Sequence, residues 1–88
     1  MALTPDEALL QIQRAGATGR FEIERFHALP QMRARGVSRE DVKFGLQMAV
    51  TCQLQANGRW KVHTLDLSQE SLVVIVAIQD GVLVITVF

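Results

Sequence analysis

Residues 72–88 read LVVIVAIQDGVLVITVF, and no other stretch narrows the possible folds as much. Two runs rich in Val and Ile flank Asp80-Gly81. This is a hairpin signal, because Asp-Gly accepts the positive φ angles of a tight turn. With Asp80-Gly81 as a two-residue loop, Gln79 pairs with Val82 and Ile78 faces Leu83. One side then carries Leu72, Val74, Val76, Ile78, Leu83, Ile85 and Val87. The other carries Val73, Ile75, Ala77, Val82, Val84 and Phe88. Both faces are apolar, so both call for cover. Helices supply one layer. The second needs the first helix folded over it, a protein partner, or a homodimer formed through the apolar sheet face.

The preceding segment also has a period of two. VTCQLQ alternates from Val50, Asn57-Gly58 signals a type I′ turn, and RWKVHTLD alternates again. Trp60, Val62 and Thr64 point one way, and Lys61, His63 and Leu65 the other. DLSQES is a polar loop. Upstream the pattern is helical. TPDE combines a Thr4 cap, Pro5 in the first turn and Glu7 at the capping-box position. Ala8, Leu9, Ile12 and Ala15 form a stripe that Gly16 ends. FEIERF suggests a short strand at about 21–25. A second helix covers about 27–35, with Pro30 in its first turn and Gly36 at its end. Ser38 caps a third, with Asp41 three residues on. The expected fold class is α+β: two or three N-terminal helices packed on a four-stranded antiparallel β-meander, with the short extra strand beside it. Residues 1–88 form one domain, with a helix and loop over 1–19 and the α+β core over 20–88.

Charge and cysteine content bound the function. Nine basic and nine acidic residues cancel, so any nucleic-acid contact must rest on a local patch. The lone Cys52 sits in an apolar alternation and reads as a buried small hydrophobe. Asp6 and Glu7 stand where a signal peptide would be basic. The seven apolar residues LVVIVAI fall short of the roughly 20 of a membrane helix. The expected location is cytoplasmic, with no membrane contact.

The candidate chemistry lies in a basic set. His27 and His63 are 36 positions apart, no Glu/Asp cluster stands beside a His, and no metal ligand set or cofactor motif is legible. Arg59, Lys61 and His63 alternate around Trp60. Arg33 and Arg35 end the second helix, and His27 begins it. If that helix packs beside the strand, these groups converge. Metal-independent RNA cleavage needs such a set: a base for the 2′-OH, cations for the phosphorane and an acid for the 5′ oxygen. The catalytic candidates are His63, Lys61 and His27. Arg59, Arg33 and Arg35 would hold phosphate and Trp60 would stack a base. The alternative for each is structural: a solvated strand face, a core tryptophan, a capping histidine, and arginines against a helix C-terminus.

A second pattern competes. RARGVSREDVKFGLQ resembles a helix-turn-helix, with Arg39, Lys43 and Gln47 on one face of a recognition helix and ANGR at the tip of a wing. Glu40 and Asp41 at that helix's N-terminus and the neutral net charge oppose DNA binding.

The run of His27, Ala28, Met32, Arg35, Gly36, Val37, Ser38, Asp41 and Val42 resembles the bacterial domain of unknown function 4258. Arg59 to Val62 and DGVLVITVF resemble the same family's sheet, so the likeness covers roughly 20–88. That family is similar in pattern to small toxin folds of the RelE, BrnT and MqsR type. The resemblance implies an α+β fold with an antiparallel sheet and, more weakly, an mRNA endonuclease held by an antitoxin. Gln31, where the family often has Arg, the helix-interrupting Pro30 and the neutral charge depart from the pattern. They suit an inactive relative or a protein-interaction module without catalysis.

Overall fold

Each of the three helices begins at a carboxylate that closes its first turn. A computed structural model describes residues 3–88. Helix α1, Pro5–Thr18, has the expected capping box: Thr4 Oγ1 accepts from Glu7 N, and Glu7 Oε1 accepts from Thr4 N at 2.9 Å. Helix α3, Arg39–Gln47, repeats the device with Ser38 and Asp41. Asp41 Oδ1 also accepts from Leu67 N at 3.1 Å, which ties α3 to the loop after the third strand. Helix α2, Ala28–Arg35, has no side-chain cap from its own N-cap residue, His27. Glu24 takes that role. The α2 helix ends at Gly36, whose φ of 68° is left-handed.

The sheet corrects the expected meander by one strand. Its five strands are β1 (Phe21–Ile23), β2 (Cys52–Leu54), β3 (Trp60–Leu65), β4 (Ser71–Ile78) and β5 (Val82–Val87), in the order β1-β5-β4-β3-β2. Strands β2 to β5 form the antiparallel meander. Strand β1 adds to it in parallel, with Phe21 opposite Val82 and Ile23 opposite Val84. The short strand expected near 21–25 is therefore real, and the sheet is mixed.

Both hairpin loops are one residue longer than the turn signals imply. Ile78 pairs with Val82, which leaves Gln79, Asp80 and Gly81 as a three-residue loop. The one-residue change turns Val82 and Val84 into the core and Leu83 and Ile85 away from it. A bulge follows: Val76 opposes Val84 but Ile75 opposes Thr86, which returns Val87 to the core opposite Val74. At the earlier turn, Gly58 N donates to Gln55 O and Gln55 N to Arg59 O, a type I turn closed by a left-handed Gly58 rather than type I′.

All three helices cover one face of the sheet. Ala8, Ile12, Met32, Val42 and Leu46 pack with Trp60, Val62, Val74, Val76, Val84 and Val87 in one core. The α1 helix runs through Gly16, contrary to the expected stop there. Gly16 is buried against α3, and a Cβ on it would overlap Gln47 N and stand 2.7 Å from Gln47 Cα. Thr64 Oγ1 donates to Gly45 O at 2.7 Å, joining α3 to β3. Cys52 is buried with its Sγ directed at Pro5 O, and its thiol is raised by burial and by Asp6. No described helix is long and apolar enough to cross a membrane.

Candidate functional site

Among the described residues no helix lies on the opposite face of the sheet. The α1 helix, the simplest expected cover, lies with α3 on the core side. Register defines the open face row by row. Lys61 stands opposite Ile75, which stands opposite Thr86. His63 stands opposite Val73, whose N–H and C=O bond Phe88. Ala77 stands opposite Leu83, and Leu83 beside Glu22. An apolar middle thus lies between the basic β3 side, Arg59, Lys61 and His63, and the β1 side, where Glu22, Glu24 and His27 lie. Ile75 is only 6% exposed yet stands apart from the helix-covered core.

A hollow of about 530 Å³ opens on this face. Leu83, Ile85 and Thr86 of β5 line it, with Arg59 from the start of β3 and Glu24 and His27 from the turn between β1 and α2. Glu24 organises that turn. Its Oε1 accepts from Phe26 N at 2.7 Å, and its Oε2 accepts from His27 N at 2.6 Å and Ala28 N at 3.4 Å. The same Oε2 lies 3.1 Å from His27 Nδ1. The Phe26 N–H bond, with those of His27 and Ala28, holds the Glu24 carboxyl below its ordinary range, against a smaller opposing effect of desolvation. With Nδ1–H directed at the carboxylate, Nε2 of the neutral ring is an acceptor. The His27 side chain is 78% exposed.

The structure therefore brings His27 and Arg59 to one hollow. Lys61 shares the open face two strands from Thr86, about 10 Å at the usual strand spacing. His63 lies apart, lining a different hollow of about 480 Å³ with Phe44, Met48, Val50 and Leu65. That hollow flanks the outer edge of β3, where pairing with β2 stops at Val62. Arg33 and Arg35 are exposed in the last turn of α2 and form no wall with Arg59. Of the six groups expected to converge, His27, Arg33, Arg35, Arg59, Lys61 and His63, only His27 and Arg59 line one hollow. Trp60 is 4% exposed in the helix-covered core and cannot stack a base, which corrects the expectation of a nucleobase contact there.

Glu24 and Thr86 were not among the sequence candidates. The search for a Glu/Asp cluster beside a histidine passes over the single carboxylate of Glu24, three positions before His27. Thr86 carried no signal, because the bulge at Ile75/Val76 decides which way it faces. Two of the three proposed recognition-helix residues have internal partners. Arg39 stacks 4.2 Å over the Phe21 ring and donates to Gly19 O and Phe21 O, while Lys43 Nζ lies 3.5 Å from Ala17 O. Both cations sit against the carboxyl end of α1, where the helix dipole favours them. Among the described residues no group of three or more His, Cys, Asp or Glu could hold a metal ion. No family model, no curated protein and no solved structure matches the chain.

Proposed function

We propose that the open sheet face binds RNA and that the protein is a toxin-like endoribonuclease, or a relative that keeps binding without cleavage. One observation carries this reading: an exposed imidazole oriented by a carboxylate and an arginine line the same hollow, together with Leu83 and Ile85. The resemblance to the domain of unknown function 4258, carried in part by the same His27 and Arg59, implies this activity weakly. His27 Nε2 takes the proton of the 2′-hydroxyl, and the 2′ oxygen attacks phosphorus. Arg59 stabilises the negative charge of the phosphorane. The bond to the 5′ oxygen breaks, that oxygen keeps the electron pair, and it takes a proton from Lys61. No metal enters this scheme. In this reading the protein acts on mRNA in the cytoplasm, and an antitoxin restrains it.

Inducible expression in bacteria, reading growth and bulk mRNA integrity, tests the proposal. Wild type arrests growth and depletes mRNA. His27→Ala and Arg59→Ala each relieve the arrest, with unchanged circular dichroism. Normal growth and intact mRNA with the wild type overturn the nuclease reading.

The apolar middle of the same face favours a second reading, a protein-interaction module. Ile75 is buried outside the main core, and Val73, Leu83 and Ile85 are half-buried beside it. Light scattering separates the forms of this reading. A homodimer that Leu83→Glu converts to a monomer places self-association on this face. A wild-type monomer leaves a different protein as the partner.

A further inference from the structure

We propose that Phe26 is a base-stacking platform and that the ligand of the open face is single-stranded RNA, an inference that rests on the RNA reading above. The chain has five aromatic residues, four Phe and one Trp. Phe21 and Trp60 are buried and Phe44 is half-buried. Only Phe26, 81% exposed, and Phe88, 50% exposed, present a ring to solvent. Each has a histidine near it in the chain or across the sheet, at different removes. Phe26 directly precedes His27, and Phe88 shares a row with Val73 and His63.

Phe26 is the more informative of the two because its backbone is held. Its N–H donates to Glu24 Oε1 at 2.7 Å, and the next two N–H groups donate to the other oxygen of the same carboxylate. The ring is thus carried on an ordered turn, not on a loose loop. It adds little to the core, since an exposed phenyl loses almost no contact with water on folding. An exposed ring on the ordered turn that carries Glu24 and His27, with Arg59 lining the hollow that this turn borders, matches a ligand with a flat π-face and an adjacent anion. A nucleotide has both. The base stacks on Phe26, and the neighbouring phosphate meets Arg59. In a duplex the base faces are covered by their stacked neighbours. Only an unpaired strand offers one to a side chain.

The test measures fluorescence anisotropy of a labelled 2′-O-methyl RNA of about 12 nucleotides, the scale of a single-strand site. This RNA lacks the attacking hydroxyl and is not cleaved by the proposed route. The same sequence annealed to its complement is the duplex control. Wild type binds the single strand more tightly than the duplex. Phe26→Ala weakens single-strand binding roughly tenfold, Phe26→Trp restores it, and neither shifts the melting temperature. Arg59→Ala lowers the salt dependence instead. Unchanged single-strand binding by Phe26→Ala, or an equal loss on the duplex, overturns the stacking role while the RNA reading stands. A wild type that binds neither RNA overturns both.

Discussion

Glu24 does two jobs with one carboxylate, closing the N-terminus of α2 and orienting His27, and two substitutions separate them. Glu24→Ala removes an acceptor for the first turn of the helix. Loss of such a cap lowers the melting temperature by a few degrees in a domain of this size. Glu24→Gln keeps an acceptor oxygen but loses the charge. Its expected effect is a smaller fall in melting temperature with the same relief of growth arrest. A Glu24→Gln protein that still arrests growth fully would remove Glu24 from the chemistry and leave it a cap. The residue was hard to read from sequence because FEIERF alternates, which assigns Glu22 and Glu24 alike to a solvent side. Only the turn at Arg25–His27 folds the second of them back onto the backbone. Trp60 shows the converse limit. Alternation correctly grouped it with Val62 and Thr64, but which face the helices cover is a tertiary fact.

Between elements, the contact of α1 with α3 depends on Gly16. Helix propensity alone favours Gly16→Ala by about 1 kcal/mol. The added methyl would overlap backbone atoms of Gln47, which cannot rotate away as a flexible side chain could. Overpacking of this kind costs roughly 1–3 kcal/mol, so the packing term wins and the substitution destabilises. A urea titration checks the sign: a raised midpoint would show that the helices separate cheaply. The same logic explains why Gly16 reads as a helix stop in the sequence. A glycine chosen for close approach looks, in sequence, like one chosen for a turn. Loop length was the other hidden variable. Asp80-Gly81 announced a hairpin correctly, yet one extra residue reassigned Val82 and Val84 to the core.

For the whole molecule, all three helix starts depend on ionised carboxylates. Backbone N–H bonds hold Glu7, Glu24 and Asp41 below their ordinary ranges: first that of Thr4 for Glu7, of Phe26 for Glu24 and of Ser38 for Asp41. A group whose folded pKa is depressed binds fewer protons folded than unfolded. Its stabilisation is complete above the unfolded value and is lost as pH falls through the folded one. The urea midpoint should therefore be flat near neutrality and drop below the ordinary carboxylate range. Combining Glu7→Gln, Glu24→Gln and Asp41→Asn should flatten that drop, and an undiminished acid dependence would assign it to other groups. Helices, the capping boxes of α1 and α3 and the β2–β5 meander are legible because each is written in neighbouring residues. The parallel pairing of β1 with β5 was not, since its partners are 61 positions apart. That pairing also sets an order of assembly. Contacts so distant close slowly, after the local hairpins have formed. The hollow takes its floor from β5 and its imidazole from the turn that follows β1. A chain that has folded its meander but not yet docked β1 has no completed hollow, so any activity housed there switches on only with the last step of folding.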